Sequence, residues 1–300
     1  MIMDISTFIQ QLINGISLGS MYGLIAIGYT MVYGVLRLIN FAHGDIMMVG
    51  AFSAFFGMSI LGLDIYSSVL FAILISIIVG VLTDKIAYKP LRHAPRISLL
   101  ITAIGISFLL ENLVNVLFGG TPKSFHAPAF FDQTFQIGSA IFTPLVFIVP
   151  IVTILLLVLL LALLYRTKYG IAIRALAFDI KTVSLMGIDV NKIIMYVFII
   201  GSSLAAVGGV FWAISYPILT PYMGVMIGLK AFAAAVLGGI GSVYGAFLGG
   251  VILGFTEVIF VAFFPEYGGY KDAIAFIFLI LVLLFRPTGI MGINFEKARF

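Results

Sequence analysis

The chain has 300 residues, of which 62% are hydrophobic and only 9% charged, and its mean hydropathy is +1.24. So little polar surface cannot cover a water-facing globule of this length, which excludes a soluble domain and points to an integral membrane protein. The formal charge of +4 would suit nucleic acid in a soluble chain, but in a membrane protein a basic excess reports the loops of one face; the absence of cysteine removes disulfides, thiolate metal sites and thiol nucleophiles.

A span needs about 20 mainly apolar residues. In chain order the predicted spans are 8–36, 44–61, 66–83, 97–118, 143–165, 192–214, 225–240, 243–263 and 271–286, nine in all. The second, third, seventh and eighth are short, and eight or ten spans follow if a pair is re-entrant. The expected fold is therefore all-α: one polytopic helical bundle of about 8–10 spans over residues 1–300, with no water-soluble domain. The first basic residue is Arg37, so the N-terminus lacks the basic region of a secretory signal and the first segment is expected to be retained.

Thirteen of the sixteen basic residues alternate onto one side: Arg37; Lys85, Lys89, Arg92 and Arg96; Arg166, Lys168, Arg174, Lys181 and Lys192; Arg286, Lys297 and Arg299. By the positive-inside rule that side is cytoplasmic, with the N-terminus outside and the C-terminus inside. Trp212, Tyr216 and Tyr222 fall near the outer end of the sixth span, as interfacial anchors do.

In the first span Gly15, Gly19 and Gly23 recur every four residues and form one small-residue face for close helix packing. Gly241, Gly245 and Gly249 repeat the pattern. Their order, G-x-G-x-x-x-G between long apolar segments, does not fit a dinucleotide fingerprint, and no Gly-Lys pair exists for a phosphate loop. Any ATP-driven work must be done on another chain, and no cofactor or metal is expected in this one.

The stretch "LINFAHGDIMMVGAFSAFF" at 38–56 places Asn40, His43, Gly44 and Asp45 in an apolar context. Irregular backbone at membrane depth is tolerated where it is buried in protein or lines a cavity, so a helix break is expected here, with Asn40, His43 and Asp45 turned to a solute path. An ordinary turn beside Arg37 is the competing reading. A second interruption, "YPILTPYMG" with Pro217, Pro221 and Gly224, precedes the short seventh span on the opposite side, as an inverted internal repeat requires.

Charges at depth are Asp45, Glu111, Lys230 and Glu257, each costing at least ~2.5 kcal/mol on insertion scales for Asp or Lys at a helix centre. Glu111 with Asn112 and Asn115 forms a polar stripe that either lines the path or joins two helices. In "YRTKYGIAIRALAFDIKTVSLMGIDVNK", Ile173, Leu176, Ala177, Ile180 and Ser184 share one helical face, Arg174, Phe178, Lys181 and Leu185 another, and Gly170 and Gly187 bracket the element. Such a helix suits docking into a partner's groove or lying on lipid headgroups.

The ordered set "GLIAIGYTMVYGVLRLINFAHGDIMMVGAF" at 23–52, "RALAFDIKTVSLMGIDV" at 174–190, "LKAFAAAVLGGIGSVYGAFLGGVILG" at 229–254 and "LLFRPTGIMG" at 283–292 resembles the permeases of branched-chain amino acid ABC importers over nearly the whole chain. The resemblance implies a bacterial inner-membrane half-permease that pairs with a second, homologous permease, two cytoplasmic ATPases and an extracytoplasmic binding protein, without nucleic acid. It also implies that the loop 166–191 couples ATP-driven closure to the permease, with Arg174, Ala175, Asp179 and Gly187 at the matching positions. Arg174 and Ala175 stand where other ABC permeases carry an acidic residue. Permeases for urea or short amides share the "AHG" element, and sugar permeases are more distant relatives.

The competing class is a self-sufficient channel or ion-coupled carrier using Asp45, Glu111 and Glu257. An intramembrane enzyme has no support in the sequence, which lacks an H-E-x-x-H helix and any recognisable catalytic setting.

Overall fold

The computed structural model describes residues 4–92 and 94–292, so Lys297 and Arg299 lie outside the described residues. The helices are α1 (Ile5–Leu36), α2 (His43–Ser59), α3 (Ile65–Leu82), α4 (Arg96–Phe118), α5 (Ala129–Asp132), α6 (Leu145–Arg166), α7 (Lys168–Phe178), α8 (Ile180–Leu185), α9 (Val190–Ser215), α10 (Met223–Gly238), α11 (Val243–Phe263) and α12 (Lys271–Phe285). A π turn (Thr83–Tyr88) and a 3-10 turn (Lys89–Leu91) extend α3. Two antiparallel strand pairs, β1 (Lys123–Ser124) with β4 (Ile218–Leu219) and β2 (Phe135–Ile137) with β3 (Ala140–Phe142), lie in the loops.

Several helices start where a short polar side chain accepts the first free amides. Asp4 caps α1, Asp64 α3, Thr167 α7, Asp189 α9 and Ser242 α11. Asp4 and Asp64 lie outside the spans. The Ser6 and Ser67 hydroxyls, together with the capped amides, hold their carboxyls below the usual carboxylate range.

All nine predicted segments are helical, yet they are not nine equal spans. Among the described residues, seven helices are long and apolar enough to cross a membrane: α1, α3 with its extension, α4, α6, α9, α11, and α12 with the turn before it. The third and eighth, short by sequence count, belong to this set. The other two, α2 and α10, have 17 and 16 residues. At about 1.5 Å per residue, neither covers a hydrocarbon core of about 30 Å.

Hydrogen bonds between loops fix which ends share a side. On the N-terminal side, the Gln10 amide donates to the Ile141 carbonyl, Ser139 donates to Asp4, and β1 pairs with β4. On the other side, Arg37 donates to the Ala177 carbonyl, Arg92 to Asn191, and the Met291 amide to the Gly238 carbonyl. That second side carries the basic loops. The short helices run in opposite senses, α2 towards the N-terminal side and α10 towards the basic side, which is the arrangement expected of an inverted repeat.

The core is built around α1, which is buried along most of its length and packs on α6, α9, α10 and α11. Its Gly15–Gly19–Gly23 face meets α11: a Cβ on Gly19 would sit 2.5 Å from the Val251 Cα, and one on Gly15 3.1 Å from the Phe255 Cα. Backbones this close admit only hydrogen as a side chain. The partners on α11 are Gly250 and Gly254, one face round from the predicted glycines. Gly245 and Gly249 pack instead on Gly238 and Ala234 of α10. Gly241 is not helical: with φ of 95° it shapes the turn before α11, where its amide donates to Thr30 Oγ1 at 3.0 Å.

Candidate functional site

The first turns of α2 and α10 meet inside the bundle, on residues too small to keep their backbones apart. A Cβ on Gly44 would strike the Gly224 carbonyl and come within 2.8 Å of the Gly228 Cα. Three buried polar side chains surround this crossing.

Asn40 lies in the connector between α1 and α2, which turns at Arg37 in the left-handed region with φ of 52°. Its Oδ1 accepts the Tyr88 hydroxyl at 2.6 Å, while Nδ2 has no hydrogen-bond partner. Tyr88 belongs to the π turn, whose widened backbone also presents Asp84 to Arg92 at 2.5 Å. His43 fills the space left by Gly28 and stands edge-on to Tyr29, ring centres 4.7 Å apart; its Nε2 is unpartnered. Asp45, fully buried, accepts the Ser107 hydroxyl of α4 on Oδ2 at 2.5 Å. Its Oδ1 is unpartnered and faces Gly224 in the first turn of α10. A carboxylate is favoured beside the positive end of a helix dipole, and Asp45 lies in the first turn of α2 and against the first turn of α10.

Glu111 and Asn115 extend this group along α4 towards the N-terminal side. Glu111 is buried with Oε1 unpartnered, and Asn115 Nδ2 donates to the Tyr222 hydroxyl at 3.4 Å. Asn112 is exposed and bonds its own helix, so it leaves the stripe. Sequence reasoning missed Tyr29, Tyr88 and Ser107; only Ser107, one turn before Glu111, carried a helical-spacing signal.

Lys230 and Glu257 form a buried ion pair at 2.6 Å that Tyr22 completes, its hydroxyl donating to Glu257 Oε2 at 3.0 Å and accepting from Lys230 at 3.2 Å. Asp272, at the start of α12, adds a second carboxylate 2.5 Å from Lys230. The cluster ties α1, α10, α11 and α12 together.

The loop 166–191 is two helices where the periodicity predicts one. Asp179, with φ −152° and ψ 107°, breaks it between α7 and α8, and its Oδ2 accepts the Thr182 hydroxyl at 2.5 Å. Ile173, Leu176 and Val183 are buried, whereas Phe178, Leu185 and Met186 are 70%, 88% and 75% exposed. Arg174 donates to the Leu164 carbonyl at 3.1 Å and lies 4.6 Å over the Tyr165 ring, clamping α7 to the end of α6. Ala175 is half-buried beside it, and Gly187 turns the chain at φ of 78°. Among the described residues, no group of His, Cys, Asp and Glu could hold a metal ion.

A polytopic bundle with two short opposed helices and buried, unpartnered polar groups at their crossing defines a membrane permease. Residues 11–283 match the family described as branched-chain amino acid transport system, permease component, and the chain belongs to that family. It is 41% identical to the high-affinity branched-chain amino acid transport system permease protein LivH of Escherichia coli K12, covering 95% of this chain and 96% of that one. It is 43% identical to BraD of Pseudomonas aeruginosa, covering 96% and 97%. A relative described as a probable LivH from Methanocaldococcus jannaschii is 31% identical over 92% of this chain and 90% of its own. Among solved structures, PsaBC from Streptococcus pneumoniae in complex with Fab shares the fold, with a TM-score of 0.50 and 17% identity over 97% of this chain.

Proposed function

We propose that the chain is a permease subunit that carries branched-chain amino acids across a bacterial inner membrane as half of an ATP-driven importer. The similarity to LivH and BraD over nearly the whole length carries the substrate class and favours it over urea, sugars or an ion-coupled carrier. A homologous permease forms the other half, two ATPases dock on the basic face, and a binding protein delivers solute to the N-terminal face. Those faces are then cytoplasmic and external, a reading that the excess of basic residues on the first of them supports.

In this reading Asn40, His43, Asp45, Glu111 and Asn115 line the path where α2 and α10 cross, and the crossing is the gate. The unpartnered atoms of Asn40, His43, Asp45 and Glu111 support it, because leaving one buried polar group unpaired costs about 1–3 kcal/mol unless a solute or water pairs it. Phe178, Leu185 and Met186 offer an apolar patch for an ATPase groove, with Arg174 and Asp179 holding the two helices that present it.

The test is purification of the tagged chain in native lipid followed by reconstitution. A second permease and an ATPase are expected to co-purify, and leucine uptake into proteoliposomes is expected to require ATP. Uptake by the isolated chain under a proton or sodium gradient alone overturns the proposal.

A further inference from the structure

A cleft of about 1210 Å³ opens on the N-terminal side between α1, the start of α6 and the ends of α9 and α11. On α1 its lining includes Thr7, Gln11, Asn14, Leu18 and Met21, spaced four, three, four and three residues apart, with Ser17 beside them, so one helix face forms its wall. The first three are polar. Lipid tails do not solvate such a stripe, whereas water or a polar solute does. The adjacent flank of the same helix, Gly15 and Gly19, is pressed on α11.

Glu257 of the buried cluster and the neighbouring, partly exposed Lys271 line this cleft. Their closest approach is 3.9 Å from Nζ to Oε1, too long for a hydrogen bond, and the Lys271 side chain is 46% exposed. Glu257 already receives Lys230 and Tyr22, but a carboxylate offers about four acceptor sites. Glu257 and Lys271 place one carboxylate and one ammonium side by side in a cleft that Asp4 and Glu266 also line, and that pair fits a zwitterion. Apolar wall continues beside it from Leu18, Met21, Val258 and Val261.

We propose that this cleft is a binding vestibule for an aliphatic α-amino acid, with the solute ammonium on Glu257, its carboxylate on Lys271 and its side chain against Leu18, Met21 and Val258. The site rests on the amino-acid reading above and adds a location distinct from the α2–α10 crossing. Asn14 and Gln11 form the polar approach to it.

The natural absence of cysteine makes the test direct. Asn14→Cys and, as a control on the outer flank of α1, Ile16→Cys are introduced into the complete transporter in nanodiscs. Both are treated with a charged, membrane-impermeant thiol reagent. Asn14→Cys is expected to react and Ile16→Cys to remain inert, and leucine at ten times its dissociation constant slows the Asn14→Cys reaction about tenfold. Lys271→Gln, a partly exposed position where folding is kept, abolishes that protection. An unreactive Asn14→Cys, or a reaction that leucine leaves unchanged, overturns the vestibule. ATP-driven leucine uptake by the wild-type complex, measured in parallel, separates the outcomes: uptake without protection sinks the vestibule alone, and absence of uptake sinks the substrate reading.

Discussion

The carboxylate of Asp45 on α2 lies against Gly224 in the first turn of α10, so that a Cβ added to Gly224 would sit 2.5 Å from Asp45 Oδ1 and 2.9 Å from its Cα. The two short helices therefore meet through a side chain on one and its absence on the other. Gly224→Ala is expected to push them apart, lowering stability by about 1–3 kcal/mol as overpacking does and abolishing uptake. Thermal unfolding and leucine uptake of the same preparation check it; an unchanged melting temperature contradicts the close approach.

Lys230 is the hinge of the buried cluster, held by Glu257 and Asp272 at 2.6 and 2.5 Å. Removing one partner of a buried pair costs about 3–5 kcal/mol because the other charge is stranded. Lys230→Met should therefore sharply reduce the yield of folded protein. Adding Glu257→Gln should restore part of it, since the only carboxylate then left without its lysine is the partly exposed Asp272. A double variant no better than the single one would show that the carboxylate is not what suffers.

Gly19 and Gly241 separate two uses of glycine. Gly19→Leu inserts a side chain where α1 and α11 touch and is expected to prevent assembly. Gly241→Ala adds only a methyl group but forces a left-handed residue, costing about 1–2 kcal/mol and leaving assembly intact. Size-exclusion yield of the complex distinguishes them, and equal yields contradict the assignment.

At the basic face, Leu185→Ser with Met186→Ser removes exposed apolar surface and touches no buried contact. The permease is expected to fold normally and lose co-purifying ATPase. Arg174→Glu acts differently, placing an anion at the C-terminal carbonyls of α6; it should uncouple ATP hydrolysis from uptake while leaving membrane insertion intact. Normal coupled uptake by Arg174→Glu contradicts the clamp.

Span positions were legible because about twenty apolar residues carry the membrane signal by themselves. The break at Asn40–Asp45 and its counterpart at Pro217–Gly224 were legible too, since glycine, proline and polar groups interrupt that signal. Their meeting was not: residues some 180 apart become neighbours only through packing, and nothing local in Gly224 names Asp45 as its contact. The same holds for Asp272, which by sequence is a loop-edge acid and in the fold completes the pair of Lys230 and Glu257. Helical periodicity ran straight through Asp179, yet the face it drew is buried only before the break: Leu176 is buried, whereas Ile180 and Ser184 are exposed and Val183 turns inward in their place. Glycine spacing revealed the seam on α1 and, in Gly245 and Gly249, a seam against α10, but Gly250 and Gly254, which meet α1, were hidden behind the more regular Gly241–Gly245–Gly249 series.

ATP-driven leucine uptake by Asp45→Asn, compared with ATP hydrolysis by the same complex, tests the gate most directly. The substitution keeps the shape and the Ser107 contact while removing the charge at the crossing. Hydrolysis should continue, with uptake at least about tenfold lower, the loss of roughly 1.4 kcal/mol of solute stabilisation. Uptake at the wild-type rate would contradict a solute path through the junction of α2 and α10.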